Sequence, residues 1–251
     1  MNAMRALHVT DMHLSMPGDR IFGVDLTANY EQILRFAREE KPDLIICTGD
    51  LSCTASNAQY IETVLSELAG VAENVLLCPG NHDEVATLVS SVNRAIGADL
   101  SWPHADSASG FRFIVLDTAN GTFGDENRRF VVEQSRFAKR NEEHAVILMH
   151  HPPQEMGAQY LDSGVALQDI HKTRDFFAAM QSEFTVICGH YHMAAETRLG
   201  KGTVIMTSAV SFGADPDSPT PLAKERLPCT RRIFFDESTR QITSTHIVVE
   251  G

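Results

Sequence analysis

Aspartate, histidine and asparagine recur in this 251-residue chain at one kind of place, directly after short apolar runs. Asp11-x-His13 follows one run, Gly49-Asp50 a second and Gly80-Asn81-His82-Asp83 a third. His150-His151-Pro152-Pro153 and Gly189-His190-x-His192 follow two more. Neutral imidazole and carboxylate are ordinary nitrogen and oxygen ligands of first-row metals. The Asp11/His13 and His190/His192 pairs have the i, i+2 spacing that an extended chain presents on one side. One ion cannot use Asp11, His13, Asp50, Asn81, His150, His190 and His192 together. These seven side chains, with one carboxylate shared, make eight bonds, four to each of two ions. Mixed N/O ligation of this kind suits Fe, Mn, Zn or Co.

Two such ions about 3.5–4 Å apart clamp the attacking and departing oxygens of an in-line displacement at phosphorus, and lower the pKa of bound water from 15.7 towards about 7. Two dications give about +4, and Asp11, Asp50 and one hydroxide give about −3. The remainder of about +1 meets the single negative charge of a phosphodiester. His82 is then free to pass a proton to the leaving alkoxide or to stabilise a phosphoryl oxygen, which makes His82 and Asp50 the candidate catalytic residues. Asp83 reads as orienting His82 or capping the next helix. His151 reads as a support behind the ligands or a wall of the pocket rather than a ligand, and His8, inside the first apolar run, as a hydrogen-bonded core residue.

Such donors need a scaffold that brings strand ends together. Runs at Arg5–Thr10, Leu44–Thr48, Val75–Cys78, Phe111–Leu116, Ala145–Met149, Thr185–Cys188 and Thr203–Thr207 are strand-length and do not alternate, as expected for strands covered on both faces. Between them, Leu26, Tyr30, Ile33, Leu34 and Ala37 repeat at helical spacing, as do Ile61–Leu68, Val85–Ile96 and Ile170–Met180. Strand–helix alternation implies right-handed β-α-β units and a largely parallel sheet, whose C-terminal strand ends converge on one crevice. Arg231–Phe235 and Thr243–Val249 read as an antiparallel hairpin. Ser211–Thr230, with Pro216, Pro219, Pro221 and Pro228, reads as an irregular loop, either a lid or a contact between protomers of a homo-oligomer. No linker splits the chain, so residues 1–251 are expected to form a single domain.

In their order, the five motifs resemble those of the calcineurin-like metallophosphoesterase superfamily. Phe22-Gly23-Val24-Asp25, Lys41-Pro42-Asp43-Leu44, Thr48-Gly49-Asp50-Leu51 and Leu116-Asp117-Thr118 resemble, more narrowly, the bacterial class III cyclic-nucleotide phosphodiesterases. The resemblance implies an α/β fold, a four-layer α/β/β/α sandwich with two central mixed β-sheets. It also implies one metal held by Asp11, His13, Asp50 and His192, and another by Asp50, Asn81, His150 and His190. The implied substrate is a 3′,5′-cyclic nucleotide, cyclic AMP. The alternatives are a broad phosphodiesterase or phosphomonoesterase acting on glycerophosphodiesters or other small phosphoesters, and a non-catalytic metal-binding interaction module.

Composition narrows the partners. Lys and Arg number 21 against 33 Asp and Glu, a formal charge of −12. That balance disfavours electrostatic binding to nucleic acid or an anionic membrane. Five cysteines without a C-x-x-C pair fit a reduced, cytoplasmic chain, and no signal-peptide pattern opens the sequence. Motifs of the P-loop, the dinucleotide fold and the serine-hydrolase elbow are absent.

Overall fold

The computed structural model describes residues 3–15, 18–53, 58–97 and 99–250. The outermost residues of the expected domain, Met1, Asn2 and Gly251, lie outside that description. The first half of the chain runs β1 (Ala3–Val9), β2 (Arg20–Ile21), β3 (Val24–Asp25), α1 (Leu26–Glu40), β4 (Leu44–Cys47), α2 (Ala58–Ala69), β5 (Asn74–Leu77) and α3 (Val85–Ile96). The second begins with β6 (His104–Ala108), β7 (Phe111–Val115), α4 (Gly124–Arg140), β8 (His144–Leu148), α5 (Gln159–Gly164), α6 (Ile170–Ala178) and β9 (Phe184–Cys188). It ends with β10 (Ala195–Leu199), β11 (Gly202–Met206), β12 (Gly213–Ala214), β13 (Ala223–Glu225), β14 (Cys229–Asp236) and β15 (Ile242–Val248).

Two mixed sheets form the centre. One has the order β15-β14-β1-β4-β5, the other β10-β11-β9-β8-β7-β6. β1, β4 and β5 are parallel, as are β7, β8, β9 and β11; the remaining strands of both sheets pair antiparallel. Successive side chains of a strand face opposite ways, and each face is buried. Ala6, Leu44, Ile46, Val146, Leu148 and Ile187 pack with Phe111, Phe113 and Phe235 between the sheets. Leu7, Val9, Ile45 and Cys47 pack outward against Ile33, Leu34, Leu65 and Leu88 of α1, α2 and α3. Ile114, Ile147 and Val186 pack outward against Val131, Ile170 and Phe177 of α4 and α6. The four-layer sandwich is therefore as expected, and double-sided burial is why its central strands show no alternation.

The β14–β15 hairpin is also as expected. Ser211–Thr230 is not wholly irregular: Gly213 and Ala214 pair with Ala223 and Glu225 as β12–β13, and the start of β14 falls within it. The prolines lie outside these short strands, so the chain turns between Ala214 and Ala223 while the flanking backbone still pairs. β6 and β10, absent from the apolar runs, are the edges of the second sheet. α4 escapes an apolar-periodicity reading because its buried stripe is Asn127, Val131, Gln134 and Ala138.

Candidate metal centre

The five motif-bearing strands end on one side of the sandwich, where their loops are tied to each other. The Asp11 and His13 amides donate to the carbonyls of Gly49 and Asp50, and the Gly189 amide to that of His150. Asp11, His13, Asp50, His190 and His192 all have φ between 47° and 71°. Non-glycine residues in this left-handed region persist only where their surroundings dictate it. Two glycines are required by close approach rather than by φ. A Cβ at Gly80 would collide with the Asp50 carboxylate, and one at Gly189 with Thr10 Oγ1 and Asp11 Oδ2.

All seven expected donors come together. Asp11, His13 and His192 form one group of mutually close ligand atoms, and Asp50, His150 and His190 another. Asp50 Oδ2 lies 3.5 Å from His13 Nε2 and 3.3 Å from His150 Nε2, so one oxygen faces both groups. The other, Oδ1, accepts from the His82 amide at 2.9 Å. Asn81 Oδ1 stands 3.0 Å from His150 Nε2.

The histidines are held by their far nitrogens. His150 Nδ1 donates to Thr48 O at 2.6 Å, His190 Nε2 to Val165 O at 2.8 Å and His192 Nδ1 to Phe212 O at 2.9 Å. A carbonyl can only accept, so in the neutral ring each inner nitrogen turns a lone pair into the opening, as ligation of a cation requires. Yet His150 Nε2 is 3.1 Å from His190 Nδ1, and His192 Nε2 is 3.0 Å from His13 Nε2. Two imidazole nitrogens at that range need a proton or a cation between them. Asp11 Oδ1 is buried without a hydrogen-bond partner and lies 3.4 Å from His192 Nε2. An orphaned carboxylate oxygen among inward-turned imidazoles fits cation ligation.

The surrounding carboxylates favour positive charge at this spot, whether a proton or a cation carries it. Burial opposes charge on His150 and His192, but the Asp50 and Asp11 carboxylates outweigh it, holding His150 up at about 9 and His192 above its ordinary value. Burial likewise opposes ionised Asp11 and Asp50, and the histidines facing them keep both below the usual carboxylate range.

Asp83 does neither of the things its position suggested. Glu84 caps α3, accepting from Ala86 N and Thr87 N. The buried Asp83 carboxylate instead accepts from the amides of Asp50 at 2.8 Å, Gly80 at 2.9 Å and Leu51 at 3.0 Å. Burial, with Asp50 beside it, pushes its pKa up to about 6. Asp83 thus staples the β4 loop to the β5 loop; Asp83→Asn replaces one acceptor with a donor facing these amides. Loss of thermal stability by about 2–3 kcal/mol and of metal affinity by about 10–100-fold is expected, measured by denaturation and metal titration. A variant as stable as the parent contradicts the staple.

His8 is fully buried, its Nδ1 2.7 Å from Thr207 Oγ1 and its Nε2 2.8 Å from Thr48 Oγ1, the core role expected of it. Thr48 donates to Thr10, and Thr10 to Asp11 Oδ2 at 2.7 Å. Sequence spacing gave no sign of this chain, because the hydroxyls that follow β1, β4 and β11 meet only in the fold. His151 packs against His190 with ring centroids 4.2 Å apart and bonds Thr118 at 3.0 Å; buried and outside the cavity lining, it supports the His190 ring rather than forming a wall.

Known proteins resemble this chain in sequence and in fold. A family profile described as Calcineurin-like phosphoesterase matches residues 4–194. A Fibrobacter succinogenes protein named "Probable cyclic nucleotide phosphodiesterase" is 24% identical over 236 residues, covering 92% of this chain and 89% of its own. The Escherichia coli K12 3′,5′-cyclic adenosine monophosphate phosphodiesterase CpdA is 27% identical over 197 residues, covering 75% of this chain and 70% of its own. A dimetal phosphatase from Danio rerio shares the fold at a TM-score of 0.63 and 16% identity, covering 98% of this chain and 99% of its own. Strand-end donors in the expected order, two groups of ligand atoms meeting at Asp50 and a profile spanning most of the sequence converge: the chain belongs to the calcineurin-like phosphoesterase family and is a metal-dependent phosphoester hydrolase.

Proposed function

We propose that the chain is a dinuclear phosphodiesterase whose leading substrate is a 3′,5′-cyclic nucleotide, cyclic AMP. The observation that carries the reading is Asp50 Oδ2 facing two donor groups at the base of a single opening. Asp11, His13, Asp50 and His192 would hold one ion, and Asp50, Asn81, His150 and His190 the other. Ions so held supply Lewis acidity and a water of lowered pKa near neutral pH. The chain's own groups do the rest. The carbonyls of Thr48, Val165 and Phe212 fix the tautomers that aim His150, His190 and His192 inward. Asp83 fixes the loop that carries Asn81 and His82. His82 is exposed beside the donors, its ring 4.9 Å from that of His13, and is placed to protonate the departing oxygen.

Names of relatives favour a cyclic nucleotide. Residues 1–251 are read as one domain. Among the described residues no helix is long and apolar enough to cross a membrane. The test combines elemental analysis of metal-loaded protein with turnover of cyclic AMP, bis(4-nitrophenyl) phosphate and 4-nitrophenyl phosphate. About two ions per chain and cyclic-AMP turnover comparable with the aryl diester are expected. A cyclic-AMP rate far below the aryl-diester rate removes the cyclic nucleotide, and a monoester preferred over both removes the diesterase.

A further inference from the structure

The opening above the donors is one-sided in its chemistry. It has a volume of about 470 Å³, and its floor includes His13, Asp50, His82 and His192. Its upper walls are Ile21, Phe22, Leu161, Phe212, Pro221 and Leu222. No lysine or arginine lines it among the described residues, and the residues outside the description contain neither. Such a cavity has nothing to meet a charged substituent on the ester, or the second charge of a monoester, except the metal floor.

Aromatic rings climb one wall in steps. Phe212 lies 4.8 Å from the His192 ring, and Phe22 packs edge-on to Phe212 at 5.0 Å. Phe22 occupies the first position of the two-residue turn between β2 and β3, at φ 50°, with Gly23 at φ 78°. That turn geometry favours Asn, Asp or Gly, and a bulky aromatic there is strained. Phe22 is also 46% exposed, so burial does not explain it. Leu222, which lines the same cavity, is 52% exposed on the segment joining β12 and β13. A large ring kept in a disfavoured conformation, half in water and facing a cavity continuous with the donors, gains from folding little beyond its edge contact with Phe212.

We propose that Phe22, Phe212 and Leu222 form a neutral, flat-sided subsite that takes a planar, uncharged heteroaromatic group carried by the alcohol esterified to the reacting phosphorus. This rests on the reading that the donors below hold that phosphorus. The β2–β3 and β12–β13 arms then set selectivity, favouring diesters with a base-like substituent over small polar ones.

The decisive variant is Phe22→Asn, because asparagine suits the left-handed turn and leaves the fold at least as stable as the parent. Metal-loaded parent, Phe22→Asn, Leu222→Ala and Phe22→Trp are compared for kcat/KM on cyclic AMP and on glycerophosphoethanolamine. Binding of the slowly hydrolysed phosphorothioate analogue of cyclic AMP is measured in parallel by calorimetry. Phe22→Asn should lower the cyclic-AMP to glycerophosphoethanolamine ratio and the analogue's affinity each about tenfold, without losing thermal stability. Phe22→Trp should keep both near the parent's values, and Leu222→Ala should shift them in the same direction as Phe22→Asn by less. An unchanged ratio, or an equal fall on both substrates, overturns the subsite while leaving the diesterase intact. Analogue binding that depends on Phe22 in a protein that hydrolyses neither diester supports the subsite and overturns the diesterase reading.

Discussion

Asp50→Asn is expected to leave fewer than one ion per chain and to cut diester turnover by about 10⁴-fold or more. The Asp50 carboxylate divides its oxygens, Oδ2 facing His13 and His150 and Oδ1 accepting from the His82 amide. Neutralising it removes the shared anion and disturbs the placement of His82 together. Paired ions contribute several kcal/mol of transition-state charge stabilisation, and about 5.5 kcal/mol corresponds to four orders of magnitude. Elemental analysis and steady-state rates check this directly. An Asp50→Asn protein that keeps both ions would show that the two donor groups do not depend on a common carboxylate.

His82→Ala is expected to behave in the opposite way, retaining both ions while slowing turnover by about 10²–10⁴-fold. The loss should be largest for cyclic AMP, whose leaving alkoxide needs a proton, and smaller for bis(4-nitrophenyl) phosphate, whose phenolate leaves unaided. That contrast between leaving groups separates proton donation from a contribution to charge alone. His82 also lies in a third group of close ligand atoms with His13 and Asp50. Metal content is therefore the control: loss of an ion in His82→Ala assigns the ring to ligation instead.

The donors were legible because they sit where apolar runs stop, and a strand end is a place that sequence marks well. The tight contacts beside them, Gly80 against the Asp50 carboxylate and Gly189 against Thr10 and Asp11, emerge only in the fold. What stayed hidden depends on partners distant in sequence. Asp83 is three residues from Gly80 but joins it to Asp50 and Leu51, and nothing in Asn-His-Asp announces which amides a buried carboxylate will meet. α4 was invisible because Asn127 and Gln134 take stripe positions where apolar residues are looked for; Asn127 Nδ2 donates to Asp117 O and Gln134 Oε1 accepts from Arg112. The β10 edge strand, Ala195–Leu199, alternates between half-buried and exposed positions until Leu199, so it lacks the dense apolar content of its neighbours. Prolines made residues 211–230 look structureless, although β12 and β13 fit between them.

The seven donors are also split between the two halves of the sandwich. Asp11, His13, Asp50 and Asn81 follow strands of the first sheet, whereas His150, His190 and His192 follow strands of the second. Each proposed ion would draw ligands from both, and so would act as a rivet across the seam where the halves meet. Catalytic competence and mechanical closure would then be one property of this molecule, since whatever pries the halves apart at that rim also dismantles its reaction centre.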